Sequence, residues 1–198
     1  MKHKLIEGFW FPFHIDENWL KNIIKEIWEE HEYDRYGLEI KGGDIILDFG
    51  ANVGVFTKYS SIKKAQVYAF ESDPIYFECL KLNTHCYSNV NIKQGFVSDR
   101  FEENHYNFST IFELYNLTHV DFCKIDIEGW EYPLLINSPI EYLKKIKQIS
   151  IEMHGLGVND HKILEIIEIL SKCGFKLNFE QIHKQYNIGM LYAKNMSS

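Results

Sequence analysis

The segment GDIILDFGANVGVFTKYS, residues 43–60, narrows the possible folds more than any other part of the chain. Ile45 to Phe49 is a run of strand length, apolar apart from Asp48. Such a run reads as a strand buried on both faces, as in a mainly parallel sheet covered by helices. Gly50 and Gly54 then bracket a turn, and a helical pattern follows without a breaker. A strand that passes through a glycine turn into a helix begins a βαβ unit. Gly50 permits the sharp turn and close backbone approach, and Gly54 lets the next helix pack tightly. Ligands of open α/β sheets sit at the carboxyl ends of the strands, so Asp48 to Gly54 is a candidate binding loop. Asp48, at a buried strand end, is costly there unless this loop or a ligand supplies hydrogen bonds.

Downstream, apolar runs rich in Ile, Val, Phe and Tyr alternate with helical patterns, as in a sheet with crossover helices. The expected strands are Ile45 to Phe49, Gln66 to Phe70, Val90 to Val97, Val120 to Ile127 and Ile146 to Met153, all parallel. Asp73-Pro74 supplies an N-cap acid and a first-turn proline for one helix. Asn159 or Asp160 starts another, with Gly174 as its left-handed stop. Phe175 to Phe179 and Ile188 to Ala193 leave no room for a crossover helix, so they form an antiparallel hairpin around the polar stretch EQIHKQYN. Asn18 to Glu30 carries Trp19, Leu20, Ile23, Ile24, Ile27 and Trp28 on one face of an amphipathic helix. It reads equally as a cap over the ligand edge or as a helix packed on the core. The expected organisation is one domain over residues 1–198, with residues 1–42 as helical cap and 43–198 as core.

Composition excludes several functions. A formal charge of -7 argues against a phosphate-neutralising surface, so nucleic acid is not the expected partner. Cys79, Cys86, Cys123 and Cys173 have neither zinc-finger nor disulfide-scaffold spacing, and read as reduced core thiols. No apolar run matches a signal sequence or reaches the ~18 residues of a membrane span. A soluble cytoplasmic protein is the expectation.

Glu71 ends the second strand twenty-one residues after Gly50, the spacing at which an acid receives two ribose hydroxyls. Loop and acid together indicate a nucleotide-like cofactor. A dinucleotide fingerprint needs glycines where this chain has Asn52 and Val55, which counts against a nicotinamide-dependent oxidoreductase. A second constellation is Lys124-Ile125-Asp126-Ile127-Glu128-Gly129, in which strand alternation points the lysine and both acids to one face. An internal salt bridge is one explanation, and an active site at the strand's carboxyl end is the other. Glu152-Met153-His154 ends the fifth strand in the same way, beside the fourth. Asp126, Glu128 and His154 are the expected proton-handling group, with His154 the favoured base. Carboxylates and a histidine so placed also suit a divalent ion, although no metal is required.

The segments GDIILDFGANVGVFT, VYAFESDP with a helix ending KLN, STIFEL, VDFCKIDIEGWEYPLL and ISIEMHG occur in the order seen in FkbM methyltransferases. Over residues 30–155 the chain resembles that family, within the class I fold that binds S-adenosylmethionine (SAM). The resemblance implies a Rossmann-like seven-stranded sheet of order 3-2-1-4-5-7-6, mostly parallel, with helices on both faces. It implies SAM as cofactor, Asp48, Gly50, Asn52 and Gly54 around its methionine part, Glu71 on its ribose, and Ser98 and Asp99 beside its adenine. Asp99 reads alternatively as a turn former or N-cap. It implies O-methylation of a sugar, glycolipid or natural-product hydroxyl, a small-molecule or carbohydrate acceptor. A non-catalytic SAM-binding domain is the remaining rival. The stretches that would select the acceptor, residues 1–42 and 99–109, carry aromatic residues but no named motif.

Overall fold

The computed structural model describes residues 3–196, so residues 1–2 and 197–198 of the expected domain lie outside the described residues. In chain order its elements are β1 (His3–Ile6), β2 (Phe9–Pro12), α1 (Glu17–Trp28), β3 (Ile45–Phe49), α2 (Val55–Ile62) and β4 (Gln66–Glu71). Next come α3 (Pro74–Thr84), β5 (Val90–Gln94), β6 (Phe96–Val97), β7 (His105–Tyr106), α4 (Phe108–Leu114) and β8 (Phe122–Ile125). The chain continues through α5 (Glu131–Ile136), α6 (Ile140–Leu143), β9 (Gln148–His154), α7 (Asp160–Lys172), β10 (Phe175–His183), a 3-10 turn (Lys184–Tyr186) and β11 (Ile188–Asn195).

Seven strands form the central sheet in the order β10-β11-β9-β8-β3-β4-β5. The run β9 to β5 is parallel, while β11 pairs antiparallel with both β9 and β10. Renumbered within the sheet, this is the expected 3-2-1-4-5-7-6, the mostly parallel class I methyltransferase arrangement. The order reverses between β3 and β8, and the crevice outside their carboxyl ends is where such sheets bind ligands.

Alternation along β3 divides the core in two. Leu47 and Phe49 face a cluster built with α4, α5 and α7, and Ile46 faces one built with α1, α2 and α3. Asp73 caps α3 by accepting from Ile75 N and Tyr76 N, with Pro74 in the first turn. Gly174, at φ 93°, follows the end of α7. No helix among the described residues is long and apolar enough to cross a membrane.

Four local departures from the expected elements have physical causes. The third strand stops at Gln94, because Phe96–Val97 leaves the sheet to pair with His105–Tyr106. Gly95 makes that exit possible, since a Cβ there would sit 2.4 Å from Tyr106 Cε2 and 2.6 Å from Asn104 O. The fourth strand ends at Ile125, and positive φ values at Glu128 and Gly129 turn the chain away beyond it. Strand β10 runs on through Glu180 and Gln181 to His183, which tolerates polar side chains because β10 is the edge of the sheet. Finally, an unanticipated hairpin precedes α1. Glu7 and Gly8 both have positive φ, as a two-residue hairpin turn requires, and Phe9 and Phe11 point into the core while Trp10 points outward.

The hairpin is tied to the binding loop through one side chain. Asn83 of α3 accepts from Trp10 N at 2.6 Å and donates to Trp10 O and Val53 O, each at 2.7 Å.

Candidate active site

The loop after β3 is shaped by contacts that only particular residues allow. Gly50 has φ 74°, and a Cβ on it would fall 1.7 Å from the carbonyl oxygen of Asp126. The loop therefore lies directly against the end of β8. Gly54, at φ 90°, meets Leu80 of α3 at 2.7 Å by the same construction, so α2 and α3 close together only over a glycine. Asn52 takes a left-handed conformation at φ 53°, which asparagine tolerates better than most residues.

Beneath the loop lies a buried ion pair. Lys124, 3% exposed, places Nζ 3.4 Å from Asp48 Oδ1 and 3.4 Å from Asp126 Oδ2. The same ammonium donates to Gly50 O at 2.7 Å and Phe49 O at 3.3 Å. Asp48 also accepts from Thr57 Oγ1 at 2.5 Å. Burial opposes the charge on Lys124, but Asp126 and Asp48 outweigh it and raise its pKa. The salt bridge expected as one alternative and a positioning role thus coincide: the lysine holds the loop carbonyls against β8.

On the far side of Asp126 is a chain of proton-bearing groups. Tyr33, from the segment after α1, donates to Asp126 Oδ2 at 3.0 Å and lies 3.3 Å from Glu152 Oε2. One phenolic proton serves one acceptor at a time, so a proton on Glu152 completes the set: Glu152 to Tyr33 to Asp126. Burial first, and then the nearby Asp126 charge, push the Glu152 pKa up, which places the proton there. His154 Nε2 lies 3.6 Å from Glu152 Oε1 and 3.5 Å from Glu128 Oε2. Its other face is held by Glu131, fully buried, whose Oε1 lies 3.1 Å from His154 Nδ1 and accepts from His154 N at 2.9 Å. Burial disfavours a charged imidazole, but the Glu131 hydrogen bond and the surrounding acids raise the His154 pKa well above its ordinary value. The direction of that shift favours the protonated imidazole, so His154 is suited to holding a proton.

Two cavities meet at this point. One, of about 320 Å³, is lined by Glu71 together with Phe70, Tyr76, Phe96 and Trp130. The other, of about 490 Å³, lies under α1 and is lined by its Trp19, Asn22, Ile23, Glu26 and Ile27 and by Glu32, Tyr33, Lys124 and Glu152. Gly50, Asn52, Asp126 and Glu128 line both. Glu71 accepts from Asn52 N at 2.7 Å on one carboxylate oxygen and from Asp73 N at 2.8 Å on the other. Each oxygen keeps a lone pair for a further donor.

Of the residues expected from the sequence, Gly50, Asn52, Glu71, Asp126 and Glu128 line the cavities. His154 reaches them only through Glu128 and Glu152. Asp48 and Gly54 sit below the loop and shape it. Ser98 and Asp99 line neither cavity: Ser98 Oγ lies 2.8 Å from His105 Nδ1, and Asp99 accepts from Asn137 Nδ2 at 2.8 Å. Gly95, Phe96 and Val97 occupy that stretch of the wall instead. Sequence reasoning did not single out Glu131, Tyr33 or Glu32. Glu131 had a signal, as the last acid of KIDIEGWE. The segment holding Tyr33 and Glu32 has no periodicity to reveal which side chains turn inward.

Comparisons with known proteins show what the chain resembles in sequence and in fold. Residues 87–177 match the family model described as the methyltransferase FkbM domain. Over 72 residues the chain is 32% identical to the 31-O-demethyl-FK506 methyltransferase FkbM of Streptomyces tacrolimicus, covering 35% of this chain and 28% of that protein. Among solved structures, Aeropyrum pernix fibrillarin, in complex with S-adenosyl-L-methionine, superposes with a TM-score of 0.60 at 15% identity, over 87% of this chain and 74% of that one. A precorrin-6y C5,15-methyltransferase from Geobacter metallireducens superposes with a TM-score of 0.55 at 13% identity, over 94% and 92%. At these identities the structural matches establish the fold.

Proposed function

We propose that this chain, a member of the FkbM methyltransferase family, transfers a methyl group from SAM to a hydroxyl oxygen of a small-molecule or carbohydrate acceptor held under α1. One observation carries the reading: Asp126 lines both cavities, at the junction where a cofactor in one meets an acceptor in the other.

The residues present fit the cofactor. Glu71, 7% exposed and already holding two backbone N–H groups, offers its remaining lone pairs to a ribose diol. Phe70, Tyr76, Phe96 and Trp130 give the same cavity an aromatic lining suited to a purine. Gly50 and Asn52 carry the wall onward into the second cavity, toward Asp126 and Glu128, on the methionine side. When bound, SAM supplies an electrophilic methyl carbon on a sulfonium.

The protein's own tasks are alignment and proton removal. Alignment of the two reactants contributes the larger factor, with effective molarities of roughly 10⁵ M or more for ideal geometry. Asp126 receives the acceptor's hydroxyl proton, a role worth about 10² to 10⁴-fold. Tyr33 fixes the orientation of Asp126, and Lys124 supplies a positive charge 3.4 Å from it. Glu152 and His154 store protons behind that pair. The removed proton can pass along this chain toward Glu128, which is at the surface.

A metal-assisted variant has one observation in its favour, since single ligand atoms of Asp126, Glu152 and His154 lie within 4.8 Å of one another. Lys124 beside Asp126 and the raised pKa values of Glu152 and His154 count against it, because a cation would have to displace protons from both and sit next to the ammonium. Activity that survives exhaustive chelation removes this variant.

The test begins with calorimetric titration of SAM, its demethylated product S-adenosylhomocysteine (SAH), and NAD. SAM and SAH are expected to bind and NAD not to; the opposite pattern overturns the reading. Against a panel of hydroxylated acceptors with methyl-labelled SAM, Asp126→Asn is expected to lose at least 100-fold in turnover while binding SAH within a few-fold of the parent. Unchanged turnover would remove Asp126 from the proton-accepting role.

A further inference from the structure

The cavity under α1 holds one buried carboxyl group to which the methyl-transfer chemistry assigns no role, that of Glu32. Glu26, Glu32, Asp126, Glu128 and Glu152 line it, and Lys124 is the one basic residue among its described lining. That lysine is buried and committed to Gly50 O and Phe49 O. Asp126 is paired with Lys124 and Tyr33, and Glu128 faces His154, so among the described lining the carboxyl group left to meet an acceptor is that of Glu32, and a phosphorylated or carboxylated acceptor would meet a like charge there. SAM brings one net positive charge, from its sulfonium and ammonium less its carboxylate. In the proposed cofactor position it lies on the side of Asp126 and Glu128, and Glu32 is left to the acceptor.

Glu32 is the sharpest sign of a missing partner. Its residue is 7% exposed and its side chain lines the cavity, yet it forms no hydrogen bond or ion pair among the described residues. Its backbone is engaged, donating to Glu26 O at 3.0 Å and accepting from Tyr192 Oη at 2.8 Å. A carboxyl group so buried is normally paired, and an unpaired one is destabilising. Trp19, on the same wall, adds an aromatic ring of the kind that favours cations.

We infer that the acceptor carries a protonated amine as well as the hydroxyl that is methylated, and that the ammonium seats against Glu32 in this cavity. The inference rests on the methyltransferase reading and specifies its substrate class: hydroxylated amines such as amino sugars. Glu32 also sets a pH signature. Burial, then Glu26, and with smaller effect Asp126 and Glu30, raise its pKa to about 7, against the pull of Arg35. Tyr33, Glu152 and Tyr192 are the further titratable groups around it among the described residues. Glu32 therefore gains its negative charge as pH rises through about 7, and an amine that stays protonated binds more tightly above that point than below it.

The probes are a matched pair, 6-amino-6-deoxyglucose, whose primary amine stays protonated at pH 8, and its N-acetyl derivative, with glucose 6-phosphate as the anionic control. Each is titrated calorimetrically into the full chain saturated with SAH, at pH 6 and pH 8. The free amine is expected to bind at least tenfold more tightly than its acetylated form at pH 8, with a smaller ratio at pH 6 and with glucose 6-phosphate weakest. Glu32→Gln should erase the ratio, and Glu32→Asp should keep part of it; SAH titrated into each variant reports its fold. The inference is overturned if amine and amide respond alike, strongly or not at all, if the phosphate is preferred, or if the ratio survives Glu32→Gln. Failure of the parent protein to bind SAH would instead strike the underlying methyltransferase reading.

Discussion

At the scale of single residues, the site depends on buried charges whose partners come from distant parts of the chain. Glu131 shows the principle. It is fully buried and holds Gly129 N, His154 N and His154 Nδ1, so it both closes the turn after β8 and raises the pKa of the imidazole. Glu131→Gln conserves shape and removes the charge. We expect the His154 pKa to fall in this variant and turnover to drop at least tenfold, with NMR titration of the His154 ring as the readout. An unchanged His154 titration would show that Glu131 is a fold residue only. Lys124 and Asp48 illustrate a different lesson. Both were visible in the sequence as charges in apolar strands, and they form an ion pair beneath the loop, in registry on neighbouring strands. Such a pair says little about net stability, and much about where the loop carbonyls must lie.

At the scale of elements, the binding loop is clamped from two directions. Strand β8 approaches Gly50 from one side, and α3 approaches Gly54 from the other. Asn83 extends the clamp to the N-terminal hairpin by bonding Trp10 on both backbone groups and Val53 on its carbonyl. Asn83→Ala leaves three backbone groups without this partner, and is expected to cost about 2–4 kcal/mol in urea unfolding. Affinity for SAH should fall with it, since Val53 lies within the loop. A loss below about 0.5 kcal/mol would mean that water replaces the amide at no cost and that the hairpin is held by its apolar contacts alone. Helix α1 was readable from its amphipathic stripe, but two placements suited that stripe equally. Its position over the second cavity follows from the apolar contacts of Leu20 and Ile27, and it brings Glu26 along.

At the scale of the whole molecule, the cavity's acidity should be measurable in global stability. Glu32 holds its proton more tightly folded, at a pKa of about 7, than its ordinary value of 4.5. Its contribution is therefore fully present below pH 4.5 and is lost as pH rises through about 7, a change of roughly 3 kcal/mol. Glu32→Gln should accordingly be more stable than the parent at pH 8 and lose that advantage toward pH 4.5, in urea unfolding curves across the range. A constant difference between the two proteins would show that Glu32 does not titrate in this window. By itself the sequence determined the sheet, because local signals carry it: apolar runs of strand length, a glycine turn, an acid at the next strand end, and no space for a crossover before the last strand. It also located the loop, Glu71 and the acids after β8, since all of these sit at strand ends. Only the tertiary structure decided which side chains share a cavity. Tyr33 and Glu32 enter the site from a segment without periodicity, Ser98 and Asp99 turn away because Phe96–Val97 leaves the sheet, and His154 is drawn behind Glu128 by Glu131. Those outcomes depend on contacts between residues far apart in the chain, and no spacing along it encodes them.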